Sequence, residues 1–293
     1  DFCLSRGLGD VYKRQVVIGR NEGQRLERCL VSLAHGADKV IYVDSGSTDG
    51  SLQLAANLGV AVLALDMSIP FTAARARNEG FAALQRLLPS MQLVQFVDGD
   101  CEVNATWLAT AQAFLEQHPA VAVVCGRRRE RFPQRSVYNL LCDLEWDTPV
   151  GEAKACGGDA LMRADAFAAV GGFRPDLIAG EEPELCVRLR ANGWKIWRLA
   201  AEMTLHDAGM TRFSQWWRRS LRAGHAYAEG AYLHGQPPER HWLRESRRAW
   251  LWGLGIPLVI ALACLLLGGW GLLLLLIYPC LLYTSPSPRD RQK

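Results

Sequence analysis

Short apolar runs alternate with segments of helical periodicity over the first 125 residues of the chain. Residues 16–18 are apolar, and Leu26, Leu30 and Leu33 then recur at a spacing that places them on one face of a helix. Strands that alternate with helices of about 10–15 residues are typical of a mostly parallel sheet with helices on both faces. We therefore predict an α/β fold of this kind. The predicted strands are residues 16–18, 39–43, 60–65, 92–97 and 120–125, and the predicted helices include residues 52–58, 72–87 and one that ends at His118.

The second half of the chain has a less regular pattern. Residues 127–156 are predicted to be irregular or loosely helical, residues 180–192 to contain a helix with an acidic first turn, and residues 195–199 to form a strand. Ser47 and Asn104 are predicted helix caps in the first half, because their side chains accept hydrogen bonds from free backbone N–H groups.

A long uncharged segment lies near the end of the chain. No Asp, Glu, Lys or Arg occurs between Arg248 and Arg289. A single helix over residues 249–283 would be about 50 Å long, whereas the hydrocarbon core of a bilayer is about 30 Å thick. We therefore predict a membrane span at residues 250–267, a break, and a second span that begins near Trp270. The glycines available for the break are Gly268, Gly269 and Gly271.

Arginine and tryptophan are frequent just before this segment. Such a composition is typical of an interfacial helix and a cytoplasmic flank, and a solvated basic face is the alternative. By the positive-inside rule we predict a protein of the inner membrane, with its catalytic domain in the cytoplasm. Residues 236–248 are the predicted basic linker and residues 249–283 the membrane region. The basic and aromatic residues concerned are Arg212, Trp216, Trp217, Arg218, Arg219, Arg222, Arg240, Arg244, Arg247 and Arg248.

The two ends do not continue these patterns. Residues 1–15 have no clear periodicity, and residues 284–293 attach a polar tail to an apolar segment. Both resemble spurious translated ends of assembled reading frames, so we expect non-native tails; ordinary disordered tails are the alternative. The catalytic domain is then expected at residues 16–235.

Composition narrows the classes of function. The chain has a net charge of +3, which is too small to favour a nucleic-acid-binding protein. The nine cysteines form no Cys-x-x-Cys pair and have no histidine cluster beside them. This distribution argues against a zinc site or a disulfide framework and favours a reducing compartment.

Acidic and amide side chains follow several predicted strands. Asp98 and Asp100 come directly after the strand at residues 92–97, and Asn21 and Asp44 follow two earlier strands. Ligands of open α/β sheets bind beyond the carboxyl ends of the strands, where these side chains should converge. Carboxylates there can hold Mg²⁺ or Mn²⁺ against substrate phosphates. An isolated Asp-x-Asp is also common in plain turns.

Four motifs occur in an order that resembles inverting family 2 glycosyltransferases of the membrane-anchored, bacterial type. The resemblance covers about residues 16–235 and implies the GT-A fold, a nucleotide-sugar donor (usually a UDP-sugar) and a divalent metal. Three positions depart from the usual pattern: Gly19 replaces a common Pro, Ser45 a frequent second Asp, and Glu182 a more frequent Asp. The motifs are VVIGRNE at residues 16–22, VDSGSTDGS at 43–51, VDGDCEV at 97–103 and GEEPELCVRLRANGW at 180–194.

The resemblance implies a nucleotide site. Asn21 and Glu22 correspond to a turn that cradles the nucleotide, although a simple helix start is the alternative. Asp44 corresponds to the acceptor of a hydrogen bond from uracil or ribose, although a capping turn is the alternative. Arg77 corresponds to a diphosphate contact, since a guanidinium matches phosphate oxygens. Asp98 corresponds to a ligand of the ribose or of the metal.

The resemblance also implies a metal site and a catalytic base. Asp98 and Asp100 are the expected carboxylate ligands of Mn²⁺ or Mg²⁺, and His206 is the expected third ligand, with a structural histidine as the alternative. Glu182 is the expected base that deprotonates the acceptor, and Glu181 is the second candidate. Both glutamates also suit a helix N-terminus electrostatically.

Three functions compete at this stage. The first is transfer of a sugar from a nucleotide-sugar to a lipid-linked or cell-envelope saccharide acceptor at the membrane. The second is a sugar nucleotidyltransferase, which usually has a glycine-rich basic loop after its first strand; residues 19–22 contain one glycine. The third is a non-catalytic membrane scaffold, which the intact Asp98, Asp100 and Glu182 disfavour.

Overall fold

The computed structural model describes residues 14–34 and 39–278 of the 293-residue chain. The chain divides into two compact units, and the boundary falls between Arg218 and Arg219. Residues 1–13 and 284–293 of the expected tails, and residues 279–283 of the expected membrane region, lie outside the described part.

One mixed sheet forms the centre of the first unit, and its strand order is β3-β2-β1-β4-β8-β6-β9-β5, with β7 beside β9. Every strand predicted from the sequence is present, with β1 starting at the last residue of the expected N-terminal tail. The strands are β1 (Gln15–Gly19), β2 (Val40–Asp44), β3 (Ala61–Ala64), β4 (Leu93–Asp98), β5 (Cys101–Val103), β6 (Val121–Glu130), β7 (Gly151–Ala153), β8 (Ala160–Arg163) and β9 (Lys195–His206).

Parallel pairing dominates the first half of the sheet. Strand β1 lies between β2 and β4 and is parallel to both, and β3 is parallel to β2. Strand β8 is antiparallel to β4 and β6, whereas β6 is parallel to β9. Strands β5 and β7 are antiparallel to β9. The predicted α/β sheet is therefore present, and its mixed second half is the part that the sequence did not predict.

Helices connect the strands and cover the sheet. Leu26, Leu30 and Leu33 are buried against the core, as their spacing predicts. In the first unit the helices are α1 (Gln24–Ala34), α2 (Ser51–Asn57), α3 (Ala73–Leu87), α4 (Trp107–Gln117), α5 (Val137–Glu145), α6 (Ala164–Ala169), α7 (Glu181–Ala191) and the start of α8 (Phe213–His234), with a 3₁₀ turn at Pro133–Arg135.

Both predicted helix caps are wrong. The residue that caps helix α2 is Gly50, which has a left-handed φ of 86°. Ser47 instead accepts a hydrogen bond from the Asn21 N–H at 2.9 Å. Asn104 binds the Thr106 N–H at 3.0 Å within a turn, and Thr106 precedes the helix. In each case the polar side chain stabilises the loop before the helix rather than the helix end.

Residues 127–156 are more regular than predicted. Strand β6 continues to Glu130, because its arginines are neutralised inside the protein: Arg127 lies 3.5 Å from Asp143 and Arg128 lies 2.7 Å from Asp159. Helix α5 follows, and Ser136 caps it by accepting the Asn139 N–H at 3.0 Å. Paired charges of this kind are compatible with a strand.

Aromatic rings fill the core between β4, α3 and the segment after β8. Phe96 contacts Phe173 edge-on with ring centroids 5.4 Å apart, and Phe167 lies 4.7 Å from Phe81. Burying each large apolar side chain contributes about 1.5–3 kcal/mol. This cluster holds the residues before α7 against the strand that carries Asp98.

The second unit is helical and apolar at its end. One helical run, Leu243–Leu276, is long and apolar enough to cross a membrane. Its apolar side chains face outward; Leu265 and Leu266 are 83% and 74% exposed. At Gly268 the backbone takes a φ of 60°, at the break expected from the sequence, and Tyr278 donates back to the Trp252 carbonyl at 2.9 Å. The helices are the rest of α8, α9 (Leu243–Trp250) and α10 (Ile256–Leu267), with a π turn at Leu251–Gly255 and a 3₁₀ segment at Gly268–Leu276.

Candidate active site

The register of the parallel strands brings the candidate residues to one edge of the sheet. Gly19 pairs with Asp44 across β1 and β2, and Ile18 pairs with Asp98 across β1 and β4. On the other side of the edge, Cys101 pairs with His206 across β5 and β9. The carboxyl ends of β1, β2 and β4 thus meet, as expected for a ligand site of an α/β sheet.

Asp98 lies between two arginines. The Arg77 Nη2 is 2.6 Å from its Oδ1, and the Arg128 Nη2 is 3.5 Å from its Oδ2. Its backbone N–H donates to Asp159 at 2.9 Å. Burial raises the pKa of Asp98, and the Arg77 guanidinium opposes the shift. The sequence-based role as a ribose or metal ligand stays a prediction; the observed partners are cations of the protein itself.

Asp100 has a different partner. Its Oδ2 lies 3.2 Å from the His206 Nε2. Burial opposes the charge of Asp100, but His206 outweighs it and lowers the pKa of Asp100 to about 2. Burial likewise opposes the charge of His206, but Asp100 outweighs it and raises the pKa of His206 to about 9. His206 therefore binds a proton at neutral pH when it is paired with Asp100 alone, and it would have to release that proton to bind a metal ion.

Close backbone approach explains two glycines at this edge. A Cβ on Gly99, between the two aspartates, would lie 3.0 Å from the Ile18 carbonyl oxygen. A Cβ on Gly158 would lie 2.5 Å from the Arg77 Nη2 and 2.9 Å from the Asp98 Oδ2. The loop before β8 therefore packs directly over the Arg77–Asp98 pair.

The candidate nucleotide residues form two linked turns. Asn21 has a left-handed φ of 57°, and its Oδ1 accepts from the Thr48 N–H at 2.7 Å. The Asp44 carboxylate is buried and accepts from Tyr42 and from the N–H groups of Gly46 and Ser47. These bonds match the turn interpretation left open by the sequence, and a nucleotide role for Asn21 and Asp44 stays a prediction.

Glu22 lies beside the two aspartates. Its Oε2 is 2.7 Å from Arg25. Burial and the nearby Asp100 raise the pKa of Glu22 to about 7, with Arg25 opposing. Glu22 is thus a carboxyl group poised to gain or lose a proton near neutral pH at the edge that carries Asp100.

The two candidate bases have different surroundings. Glu181 accepts from the Arg77 Nη1 at 2.7 Å, so Arg77 bridges Glu181 and Asp98. Glu182 is only 3% exposed, and its Oε1 accepts from the Cys156 N–H at 2.7 Å and from the Cys186 thiol at 2.9 Å. Burial raises the pKa of Glu182, which favours proton uptake.

Arg77 itself is almost fully buried, and both of its terminal nitrogens bind carboxylates. The predicted diphosphate contact is untested. Arg77 therefore links the end of β4 at Asp98 to the start of α7 at Glu181 through two ion pairs.

Sequence reasoning missed several residues that complete this edge. Arg128 pairs with Asp159 and lies 5.5 Å from the ring of Trp146, and that ring contacts the imidazole of His206 edge-on at 4.7 Å. The Glu130 Oε2 lies 3.9 Å from the other ring nitrogen of His206. The predicted strand ended at residue 125, so no sequence signal placed Arg128 at the edge of the sheet.

The donor set at the edge fits a divalent cation. Ligand atoms of Asp100, Cys101 and His206 lie within 4.8 Å of one another, as do those of Asp98, Cys101 and Asp159. Carboxylate oxygens and an imidazole suit Mn²⁺ or Mg²⁺, and the buried His206 Nδ1 makes no hydrogen bond that would fix the ring in another orientation.

Comparison with known proteins bears on the family and the fold of the chain. Residues 16–149 match the family model described as glycosyl transferase family 2. Residues 16–149 therefore resemble a family 2 glycosyltransferase. The matched segment includes β1, β2, β4 and both aspartates, whereas Glu182 and His206 lie beyond residue 149. The predicted enzyme class, a glycosyltransferase, is confirmed.

A curated relative has a similar sequence. The glycosyltransferase chain is 29% identical over 180 residues to the succinoglycan biosynthesis protein ExoA of Rhizobium meliloti (strain 1021). The match covers 59% of this chain and 54% of that protein, so the chain spans about half the length of this relative.

Solved structures share the fold of the glycosyltransferase. The mannosyltransferase PcManGT from Pyrobaculum calidifontis, solved with GDP-Man and Mn²⁺, superposes with a TM-score of 0.61 at 17% identity and covers 94% of this chain and 76% of its own. Glucosyl-3-phosphoglycerate synthase from Mycobacterium tuberculosis, solved with Mn²⁺, UDP and glucosyl-3-phosphoglycerate, gives a TM-score of 0.53 at 20% identity, covering 77% and 81%. The predicted GT-A type of α/β fold is confirmed.

Proposed function

We propose that the chain transfers a sugar, with inversion, from a nucleotide-sugar to a lipid-linked or cell-envelope saccharide acceptor at a membrane. The observation that carries the proposal is the edge where Asp98 and Asp100 meet His206. The two aspartates lie within residues 16–149, which match the family model described as glycosyl transferase family 2. Ligands of open α/β sheets bind beyond the carboxyl ends of the strands, which supports this edge as the donor site. The donor set there suits a cation that accompanies a diphosphate.

The proposed donor is a UDP-sugar. Asp44, Asn21 and Glu22 line the ends of β1 and β2, where the nucleotide of such a donor would lie. Two proteins of the same fold were solved with a nucleotide or nucleotide-sugar and Mn²⁺, which supports a donor of this class. The turn that links Asn21 to Thr48 holds the two strand ends together and would shape the base pocket.

Asp100 and His206 would hold a divalent metal, with Asp98 beside them. A bound Mn²⁺ or Mg²⁺ supplies positive charge that stabilises the departing nucleoside diphosphate. Arg77 and Arg128 already neutralise Asp98, so Asp98 is the better candidate for the ribose and Asp100 the better candidate for the metal. Arg77 holds the end of β4 next to the start of α7.

Glu182 is the proposed base. Its buried carboxylate has a raised pKa, and its Oε2 makes no hydrogen bond, so one oxygen is available to accept the proton of an acceptor hydroxyl. Glu181 is held by Arg77, and its carboxylate would have to leave that ion pair to act. These differences support Glu182 over Glu181.

The proposed location is the cytoplasmic face of the inner membrane. The apolar run of the second unit supports an anchor, and the arginines of α8 and α9 precede it in the sequence. An acceptor on a lipid or in the cell envelope would then be presented at the same surface.

The test is a screen of nucleotide-sugars with membranes that contain the full chain. Release of UDP with one UDP-sugar, dependent on added acceptor lipid extract, is the expected result. Release of pyrophosphate from a sugar phosphate and UTP would identify a nucleotidyltransferase instead. Absence of any nucleotide binding in the presence of Mn²⁺ would contradict catalysis and favour a scaffold.

A further inference from the structure

A group of thiols surrounds the buried glutamate at the start of α7. The sulfur atoms of Cys156 and Cys186 and a carboxylate oxygen of Glu182 all lie within 4.8 Å of one another. The thiol of Cys125 on β6 interacts with that of Cys156. Two cysteines that are far apart in the sequence therefore lie beside one carboxylate, and a third cysteine lies beside Cys156. The spacing of the cysteines along the chain did not reveal this group.

One oxygen of this group has no partner. The Glu182 Oε2 is buried and makes no hydrogen bond within the described residues, while its Oε1 is already bound by the Cys156 N–H and the Cys186 thiol. A buried polar atom without a partner is costly unless something satisfies it. The carboxylate beside these sulfurs thus keeps one oxygen that is free to bind a ligand.

The three cysteines differ in exposure. Cys125 and Cys186 are buried, whereas Cys156 is half-buried in the loop between β7 and β8. Cys156 is therefore the member of the group that lies nearest to the protein surface. Sulfur ligands prefer Zn²⁺ and similar thiophilic cations, whereas Mn²⁺ and Mg²⁺ prefer the oxygens of the Asp100 edge.

We propose that Cys156, Cys186 and Glu182, with Cys125 alongside, form a second cation site that takes Zn²⁺ and silences the enzyme. On binding, each ligating thiol releases its proton to solvent, and the ion accepts the two thiolates and the carboxylate. The inhibitory part rests on the proposed role of Glu182 as base, because a carboxylate bound to the ion cannot accept a proton from the acceptor.

Spectroscopy on the full chain in detergent tests the site without turnover. Co²⁺ substitutes for Zn²⁺ and shows a sulfur-to-metal charge-transfer absorption only when thiolates are ligands. We expect this absorption at one equivalent of Co²⁺, with loss in Cys156→Ser and in Cys186→Ser. Cys264→Ser, in the second unit, and Asp100→Ala, at the other edge, should retain it. No absorption in the unmutated chain, or full retention in both cysteine variants, would overturn the site.

A second measurement needs no variant. Zn²⁺ should slow alkylation of Cys156 by about 10-fold or more, because the thiolate is both the nucleophile and the metal ligand, and a thiolate bound to the ion cannot attack the reagent. Cys264, which is also half-buried, should react at the same rate with and without Zn²⁺. Equal alkylation of Cys156 under both conditions would reject zinc binding there.

Turnover separates inhibition from binding. With Mn²⁺ present, micromolar Zn²⁺ should reduce sugar transfer by the unmutated chain and by Cys264→Ser, and should reduce that by Cys156→Ser far less. Binding without loss of transfer would reject the inhibitory role. If no variant transfers any sugar, the proposed function fails, and the absorption and alkylation results still decide whether the zinc site exists.

Discussion

The two aspartates of the Val-Asp-Gly-Asp turn have opposite environments although one residue separates them. Asp98 lies between Arg77 and Arg128, and burial raises its pKa. Asp100 pairs with His206, and its pKa falls to about 2 despite burial. A fully ionised carboxylate beside an imidazole suits a metal ion, whereas a carboxylate already paired with arginines suits a hydroxyl donor.

At the residue scale, the first prediction concerns the base. Glu182→Gln keeps the shape of the side chain and its bond from the Cys156 N–H, but removes the proton acceptor. Loss of a positioned base typically lowers the rate by about 10²–10⁴-fold. We expect turnover to fall within this range while donor affinity, measured by calorimetry, changes little.

Glu181→Gln is the matched comparison, because Glu181 neighbours Glu182 on α7 and binds Arg77. Its turnover should fall less than that of Glu182→Gln. If Glu182→Gln keeps near-normal turnover and Glu181→Gln loses it, the base is Glu181. If both variants keep normal turnover, neither glutamate is the base, and the two residues serve only the N-terminus of α7.

The second prediction concerns Arg77. Arg77→Met leaves the carboxylates of Asp98 and Glu181 without their shared cation, and breaking a buried ion pair in this way costs about 3–5 kcal/mol of the free energy of unfolding. Arg75→Met on the same helix removes hydrogen bonds to the carbonyls of Ile69 and Asp66 at the surface and should cost about 1 kcal/mol or less. Denaturant unfolding of both variants measures the difference. Equal free energies of unfolding would show that the ion pairs of Arg77 with Asp98 and Glu181 do not stabilise the fold.

At the scale of elements, apolar runs predicted β1, β2 and β4 well because these central strands are buried throughout. The same criterion ended β6 too early, since Arg127 and Arg128 are strand residues whose charges are paired by Asp143 and Asp159. Whether a charged run is solvated or paired depends on its partners, and these lie on other elements. Local patterns therefore predicted the elements better than their ends.

The candidate site was predictable to a similar degree. Asp98 and Asp100 could be selected because a motif carries them, and His206 because the family resemblance implied a third metal ligand. The register of the β-sheet then brings the three residues to one edge. Asp159 could not be selected, because its role depends on a bond from the Asp98 N–H across 61 residues. The thiol group around Glu182 was missed for the same reason.

The third prediction concerns the loop that covers the Arg77–Asp98 pair. A Cβ introduced by Gly158→Ala would meet the Arg77 Nη2 at 2.5 Å and the Asp98 Oδ2 at 2.9 Å, so the pair must shift. We expect a lower melting temperature and weaker donor binding. Gly224→Ala in α8 meets no atom within 4 Å and should be neutral or stabilising, since Ala is favoured over Gly in helices by about 1 kcal/mol. Unchanged donor affinity in Gly158→Ala would show that the loop does not shape the site.

At the scale of the whole molecule, charge and apolar surface are segregated along the chain. The first unit carries the sheet and its paired charges, and the second ends in an apolar run whose leucines are exposed to the surroundings. Large exposed apolar surfaces mark membrane or protein contacts. The uncharged composition of residues 249–288 favours the membrane.

The fourth prediction follows from this segregation. Full-length protein expressed in bacteria should remain in the membrane fraction through high salt and through alkaline carbonate, which strips proteins held by charge alone. Immunoblots of pellet and supernatant give the result. Leu262→Arg combined with Leu265→Arg should weaken retention, because each arginine near the centre of a span costs about 2.5–3.5 kcal/mol. Release of the unmutated protein by carbonate would show a peripheral association.

The most direct test of the central claim is the affinity of the full chain for UDP, measured by calorimetry with Mn²⁺ and again with EDTA. If Asp100 and His206 hold a metal that binds the diphosphate, UDP should bind well with Mn²⁺ and poorly with EDTA. Asp100→Ala should then bind UDP equally weakly under both conditions. Equal UDP affinity of the unmutated chain with and without Mn²⁺ would contradict a metal-dependent nucleotide site at this edge.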